Sequence, residues 1–158
     1  RDGRTVAGWI HHPLRGITVA AEIGQGSWRD GERLTVAKPS FIKEMKAILY
    51  VSPKRAPALF ERIKELRDHL GPRSYTRCAA TEYLALAEAH AHYALFTRQL
   101  PWDHAAGCLI YQECGGYLAY LDGDAYRPVP DARPLLLAPD PDCWHGLRDM
   151  FQPSHAAA

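Results

Sequence analysis

Five consecutive apolar residues, Ala47-Ile48-Leu49-Tyr50-Val51, are followed a few positions later by apolar residues at helical spacing, and no other feature of the chain constrains its fold as much. A strand that does not alternate apolar with polar must be covered on both faces. Leu59, Phe60, Ile63, Leu66 and Leu70 then recur with the period of a helix, and Gly71-Pro72 stops it, which predicts a helix over 57–70. A doubly buried strand followed by an amphipathic helix opens an α/β layered architecture. Beyond it the chain predicts a short extended stretch at 73–77 and a helix at 78–91 rich in small residues (Ala79, Ala80, Ala85, Ala87, Ala89). A strand at 93–96 and a helix at 102–114 ended by Gly115-Gly116 come next. Strands at 117–121 and 133–138, a helix at 142–151 and a frayed tail at 153–158 complete the pattern.

Upstream of Pro39-Ser40 the pattern is different. Residues 4–11 are rich in β-branched and aromatic side chains, 13–16 form a turn, and Ile17, Val19, Ala21 and Ile23 alternate as the inward face of a second strand. Gly24, Gly26 and Asp30-Gly31 read as a loop and a tight turn before a short strand around Leu34 and Val36. This is an antiparallel meander. It opens at Arg1, without an initiator Met, in what reads as the middle of a strand, so a further N-terminal segment is expected.

Lys plus Arg is 19 and Asp plus Glu is 18, with no block of like charge, which argues against a nucleic-acid binder or a membrane-surface binder acting through bulk charge. No apolar run is long enough to span a bilayer. Cys78, Cys108, Cys114 and Cys143 are too far apart for a Cys-x-x-Cys pair, and they read as reduced, packed side chains of a cytoplasmic protein. The eight histidines give no spacing that favours zinc: His90 and His92 do not share a helix face, and His104 is expected to point away from Asp103.

The chemistry is concentrated in Pro101-Trp102-Asp103-His104-Ala105-Ala106-Gly107-Cys108-Leu109-Ile110-Tyr111-Gln112-Glu113-Cys114-Gly115-Gly116. Pro101 suits the first turn of a helix, and Asp103 follows it beside free backbone N–H groups. A carboxylate there either caps the helix or joins those N–H groups in holding a cation and a phosphate together. The Ala105-Ala106-Gly107 run keeps the helix slim where backbone or ligand comes close.

This segment resembles the second signature of the inositol monophosphatase family, Trp-Asp-x-Ala-Ala-Gly followed by Glu-x-Gly-Gly, at Trp102, Asp103, Ala105, Ala106, Gly107, Ile110, Glu113, Gly115 and Gly116. The resemblance extends to Arg73-Ser74 with Cys78-Ala79-Ala80, and to 8–13 and 22–36, so it covers nearly the whole chain but only the C-terminal part of a family member. It implies a layered α/β sandwich lobe over 39–158, preceded at 1–38 by antiparallel strands of an N-terminal lobe. It also implies hydrolysis of a small phosphorylated substrate by a water activated on Mg2+, and a homodimer. Asp103 matches the family's metal-ligating aspartate, and Arg77, Cys78 and Ala79 fall in its substrate-binding segment.

The departures bear on activity and substrate. The family's Glu-Glu pair and Asp-Pro-Ile-Asp-Gly-Thr loop do not occur in this sequence, so the chain alone is expected to bind Mg2+ weakly and not to turn over. Asp122 and Asp124 read as a solvated turn. Phe96 stands where the family has an inositol-contacting acid, and Arg77 where it has a glycine, which leaves the phosphate ester open: Arg77 reads either as the partner of a second anionic group on a different ester or as a surface charge paired with a nearby acid. The rival reading is a non-catalytic scaffold or assembly domain built on the same fold.

Overall fold

The computed structural model describes residues 1–37, 41–74 and 76–152; the Pro39-Ser40 boundary and the tail at 153–158 lie outside them. The N-terminal meander has four antiparallel strands in sequential order, β1 (Ala7–His12), β2 (Ile17–Glu22), β3 (Gly26–Arg29) and β4 (Glu32–Leu34). Gly8 pairs with Ala21 and Ile10 with Val19, so one face of this sheet is buried. Two expectations are corrected here. Gly26–Arg29 is a strand and not a loop: its glycine, at φ +86°, only turns the chain into the pairing of Ala21 with Ser27. Ile23 lies beyond the end of β2 and is half exposed, so it does not continue the inward face.

The second sheet is mixed, with order β6-β5-β7-β9-β8, formed by β5 (Ala47–Tyr50), β6 (Arg73–Ser74), β7 (Tyr93–Phe96), β8 (Tyr117–Tyr120) and β9 (Leu135–Ala138). β5 is parallel to β6 and β7, and β9 is antiparallel to β7 and β8. The helices are α1 (Pro57–Glu65), α2 (Ala79–Ala87), α3 (Pro101–Glu113) and α4 (Pro141–Phe151). Ala94, Phe96, Leu135 and Leu137 face one core with α2, α3 and the inner side of the meander. Tyr93, Leu95, Leu136 and Ala138 face the other core with α1 and α4. Strand residues alternate between the two cores and none of these eight is more than 2% exposed, which is why β7 and β9 carry no polar position. The layers therefore run four-stranded sheet, α2 and α3, five-stranded sheet, α1 and α4.

Small residues in and around α3 explain how closely it packs against β1 and α2. A Cβ on Gly8 would lie 2.9 Å from the Ala106 Cα, so β1 lies almost on the backbone of α3. A Cβ on Gly107 would enter the Tyr83 ring of α2, and one on Gly116 would enter the Tyr111 ring. Two of the expected helices end early. The turn after α1 continues to Leu70 through hydrogen bonds such as His69 N–H to the Leu66 carbonyl, and α2 stops where Ala89 takes φ +60°. Glu88, just past α2, is 2% exposed at its side chain and receives two hydrogen bonds from Arg15 and one from Arg29, all at 2.8–2.9 Å. It joins the meander to the helical layer. Glu113, at the other end of the helical layer, accepts the backbone N–H groups of Gly24 and Gly26, each at 2.8 Å.

Candidate active site

β5 and β7 lie side by side and parallel, but the chain leaves them toward opposite faces of the sheet, β5 toward α1 and β7 toward α3. Adjacent strands that part in this way leave a crevice beyond their carboxyl ends, the usual ligand site of an open α/β sheet. The N-termini of α2 and α3 open beside it. Tyr50 ends β5, Phe96 ends β7, and with Arg77, Cys78, Ala79 and Asp103 they line one cleft of about 410 Å³. The residues read from the sequence as one site are thus brought together, although Arg77 and Asp103 are 26 positions apart in the chain.

Asp103 is exposed in the first turn of α3, and its backbone N–H bonds the Leu100 carbonyl at 2.9 Å. No side chain caps this helix; Pro101 has no N–H, and the Asp103 and His104 N–H groups both turn back to the Leu100 carbonyl, so Trp102 carries the one first-turn amide without a partner inside the helix. Cys78 is the N-cap residue of α2 and is exposed, which corrects the expectation that it is packed with the other cysteines. Hydrogen bonds from the Thr81 side chain and backbone hold its thiol below the usual cysteine range. Cys108 and Cys114 are buried, and burial raises both, Cys108 to about 12. Arg77 takes φ +59°, a left-handed conformation that suits the glycine of the family pattern and that an arginine adopts at a cost of about 1 kcal/mol.

Two further groups line the cleft, of which Glu82 was not singled out in the sequence. Glu82, the one inward carboxylate of α2, is 3% exposed and accepts from the Thr76 N–H at 3.3 Å and the Thr76 hydroxyl at 3.4 Å. Burial raises it against those bonds, so it fastens the loop that carries Arg77. The signal for it was available: Glu82 and Glu88 are the two acids of a largely apolar helix at 78–91. His104 lines the same cleft as Asp103 and is buried, and its Nδ1 lies 3.0 Å from the Tyr83 hydroxyl, which also meets the Cys108 Sγ at 3.2 Å. Burial lowers its pKa and so disfavours the imidazolium, and the ring meets Phe96 edge to face at 4.9 Å between centroids. Asp122 and Asp124 do not point into the cleft; with Asp131 they hold Arg133, which lies 4.1 Å over the Tyr120 ring.

For a divalent cation, the donor set present is one exposed carboxylate. Among the described residues no three His, Cys, Asp or Glu side chains group closely enough to hold a metal ion. Asp103 fits an Mg2+ that keeps most of its water and is completed by a substrate phosphate, since Mg2+ needs few protein ligands. It does not form a closed cage.

Fold and cleft together define a layered α/β protein with one cleft at the starts of two helices. The sequence matches the inositol monophosphatase family over residues 1–148, and the chain belongs to that family. The inositol-1-monophosphatase of Bacillus subtilis is 29% identical over 133 residues, covering 79% of this chain and 48% of that protein. Inositol monophosphatase 2 of Rattus norvegicus is 28% identical over 127 residues, covering 73% and 42%. The chain therefore spans less than half the length of these relatives. In fold it is similar to inositol monophosphatase-II of Staphylococcus aureus, with TM-score 0.81 and 23% identity over 98% of this chain and 58% of that one. The extragenic suppressor protein suhB of Bartonella henselae gives TM-score 0.82 at 17% identity over 96% and 59%.

Proposed function

We propose that this chain carries the α3 half of the active site of an Mg2+-dependent phosphomonoesterase acting on a small phosphorylated substrate. The observation that carries the reading is the exposed Asp103 in the first turn of α3, in one cleft with Arg77, Cys78 and Ala79 at the start of α2. Mg2+, when bound, supplies charge neutralisation at the phosphate and a water of lowered pKa. Asp103 is the residue that would hold the ion. The Ala79 amide, following the N-cap Cys78 at the start of α2, would bind a phosphate oxygen, because N–H groups at a helix start have no partner within the helix. Arg77 would orient the ester from the rim. His104 and the Phe96 ring form the apolar floor and limit water beneath the phosphate.

One carboxylate holds Mg2+ weakly, so calorimetry of the 158-residue chain is expected to show no tight stoichiometric Mg2+ binding. Tight binding would overturn that expectation. In the longest gene product containing this sequence, assayed with and without Mg2+ on inositol, sugar and nucleotide phosphates, Asp103→Asn is expected to lower kcat/KM by about 100-fold or more. Full activity in that variant would remove Asp103 from the mechanism, and no activity in the unsubstituted product would favour the scaffold reading. Homodimeric assembly and a cytoplasmic location belong to the same proposal. Among the described residues no helix is long and apolar enough to cross a membrane.

A further inference from the structure

α3 borders two cavities. Asp103 and His104 line the cleft, whereas Ala105, Cys108, Leu109 and Gln112, further along the same helix, line a second cavity of about 490 Å³. Its other walls are residues 2–5 ahead of β1, Ile23 past the end of β2, and the loop 125–128 between β8 and β9. No residue lines both cavities. The second one is of the size that small molecules occupy.

The bed of this cavity is apolar, made by Ile23, Leu109, Pro128 and Tyr126, and the small side chains of Ala105 and Ala125 leave it unfilled. Two cations stand over it on separate walls, Arg4 and Arg127, both exposed. Among the described residues neither has a carboxylate within ion-pair distance, whereas Arg15, Arg29, Arg62, Arg133 and Arg148 each hold one. The acids of the lining do not answer them. Glu113 is engaged by the N–H groups of Gly24 and Gly26, each at 2.8 Å, and Asp2 pairs with Arg1 at 3.7 Å. A guanidinium donates paired hydrogen bonds to the oxygens of an anion, and an apolar bed is covered only by a ligand with an apolar body. A bare inorganic anion would leave the bed wet, and an uncharged ring would leave both cations unanswered.

We propose that this cavity is a second ligand site, separate from the cleft, which takes a small organic anion with an apolar body, its charge held by Arg4 and Arg127. Titration of this chain with 3-phenylpropionate, followed by amide chemical shifts, tests it, with 3-phenylpropanamide as the uncharged probe and inorganic phosphate as the anion without a body. The carboxylate is expected to shift the Leu109, Gln112 and Arg127 amides saturably, and at those residues to bind about tenfold more tightly than either comparator. In the double variant Arg4→Gln, Arg127→Gln that advantage over the uncharged probe is expected to fall to about twofold or less, while Arg98→Gln, on the wall of the cleft, retains it. Both substituted arginines are exposed, so the fold is kept. Equal binding of carboxylate and amide, an advantage that survives the double substitution, or shifts centred on Ala79 and Asp103 in the cleft would each overturn the proposal. None of these outcomes bears on the phosphoester reading of the cleft.

Discussion

Gly107→Ala is expected to destabilise the protein by about 3 kcal/mol or more, the reverse of the stabilisation of roughly 1 kcal/mol that glycine to alanine brings in an open helix. The added methyl would enter the Tyr83 ring. That ring has no room to retreat: Tyr83 is fully buried, its hydroxyl is tied to His104 and Cys108, and Phe96 lies 5.7 Å from it, centroid to centroid. α2 and α3 must therefore separate, and the amides and Asp103 that share the cleft separate with them. Thermal unfolding of Gly107→Ala, Tyr83→Leu and the double variant measures the coupling. The double variant is expected to be more stable than the sum of the single effects by about 1–2 kcal/mol. A melting temperature equal to or above that of the parent in Gly107→Ala would show that the close approach of the two helices is not real.

Glu88→Ala is the second large effect, about 3 kcal/mol of lost stability, or roughly 6–12 °C in Tm for a chain of this size. The carboxylate is buried, and removing it leaves Arg15 and Arg29 facing each other at the junction of the meander and α2. Both guanidiniums are partly exposed and regain some hydration, which keeps the cost at the lower end for a broken buried pair. Burial alone would raise the Glu88 carboxyl, but hydrogen bonds and charge from Arg15 and Arg29 outweigh it and hold the group below its usual range. A folded-state value below the unfolded one, about 4.3, means that this contribution is complete above that pH and is lost as pH falls through the folded value. The parent is therefore expected to lose stability below about pH 4 more steeply than Glu88→Ala, and urea unfolding at pH 7 and pH 3.5 compares them. A constant difference between the two proteins across that interval would exclude the ion cluster as its source.

The second half of the fold was legible because its strands are buried on both faces: Tyr93 to Phe96 and Leu135 to Ala138 carry no polar residue, and a run of that kind admits few alternatives. Gly26–Arg29 was not legible as a strand, since a glycine start and a four-residue length signal a turn unless the partner strand is known. The early end of α2 was hidden for a different reason. Ala89 takes a left-handed conformation that alanine does not advertise, and there its N–H bonds the Leu86 carbonyl while the His90 N–H bonds the Ala85 carbonyl, closing the helix as a glycine would. At the site, the contiguous signature located Asp103, whereas Glu82 and Arg98 became visible only when the sheet brought the ends of β5 and β7 beside the two helix starts. Side chains placed by topology leave no local pattern.

α3 has Asp103 near one end and Glu113 at the other, and Glu113 grips the turn between β2 and β3 while the Cys114 carbonyl takes the Val36 N–H at 3.0 Å. Its 13 residues make a rod about 20 Å long, so an angular error at the gripped end becomes a displacement at the other. A site that works to about 0.5 Å tolerates a tilt of only about 1.5° over that length. The four-stranded sheet thus acts as the clamp of a lever, and its stiffness sets the aiming accuracy of a carboxylate that it does not touch.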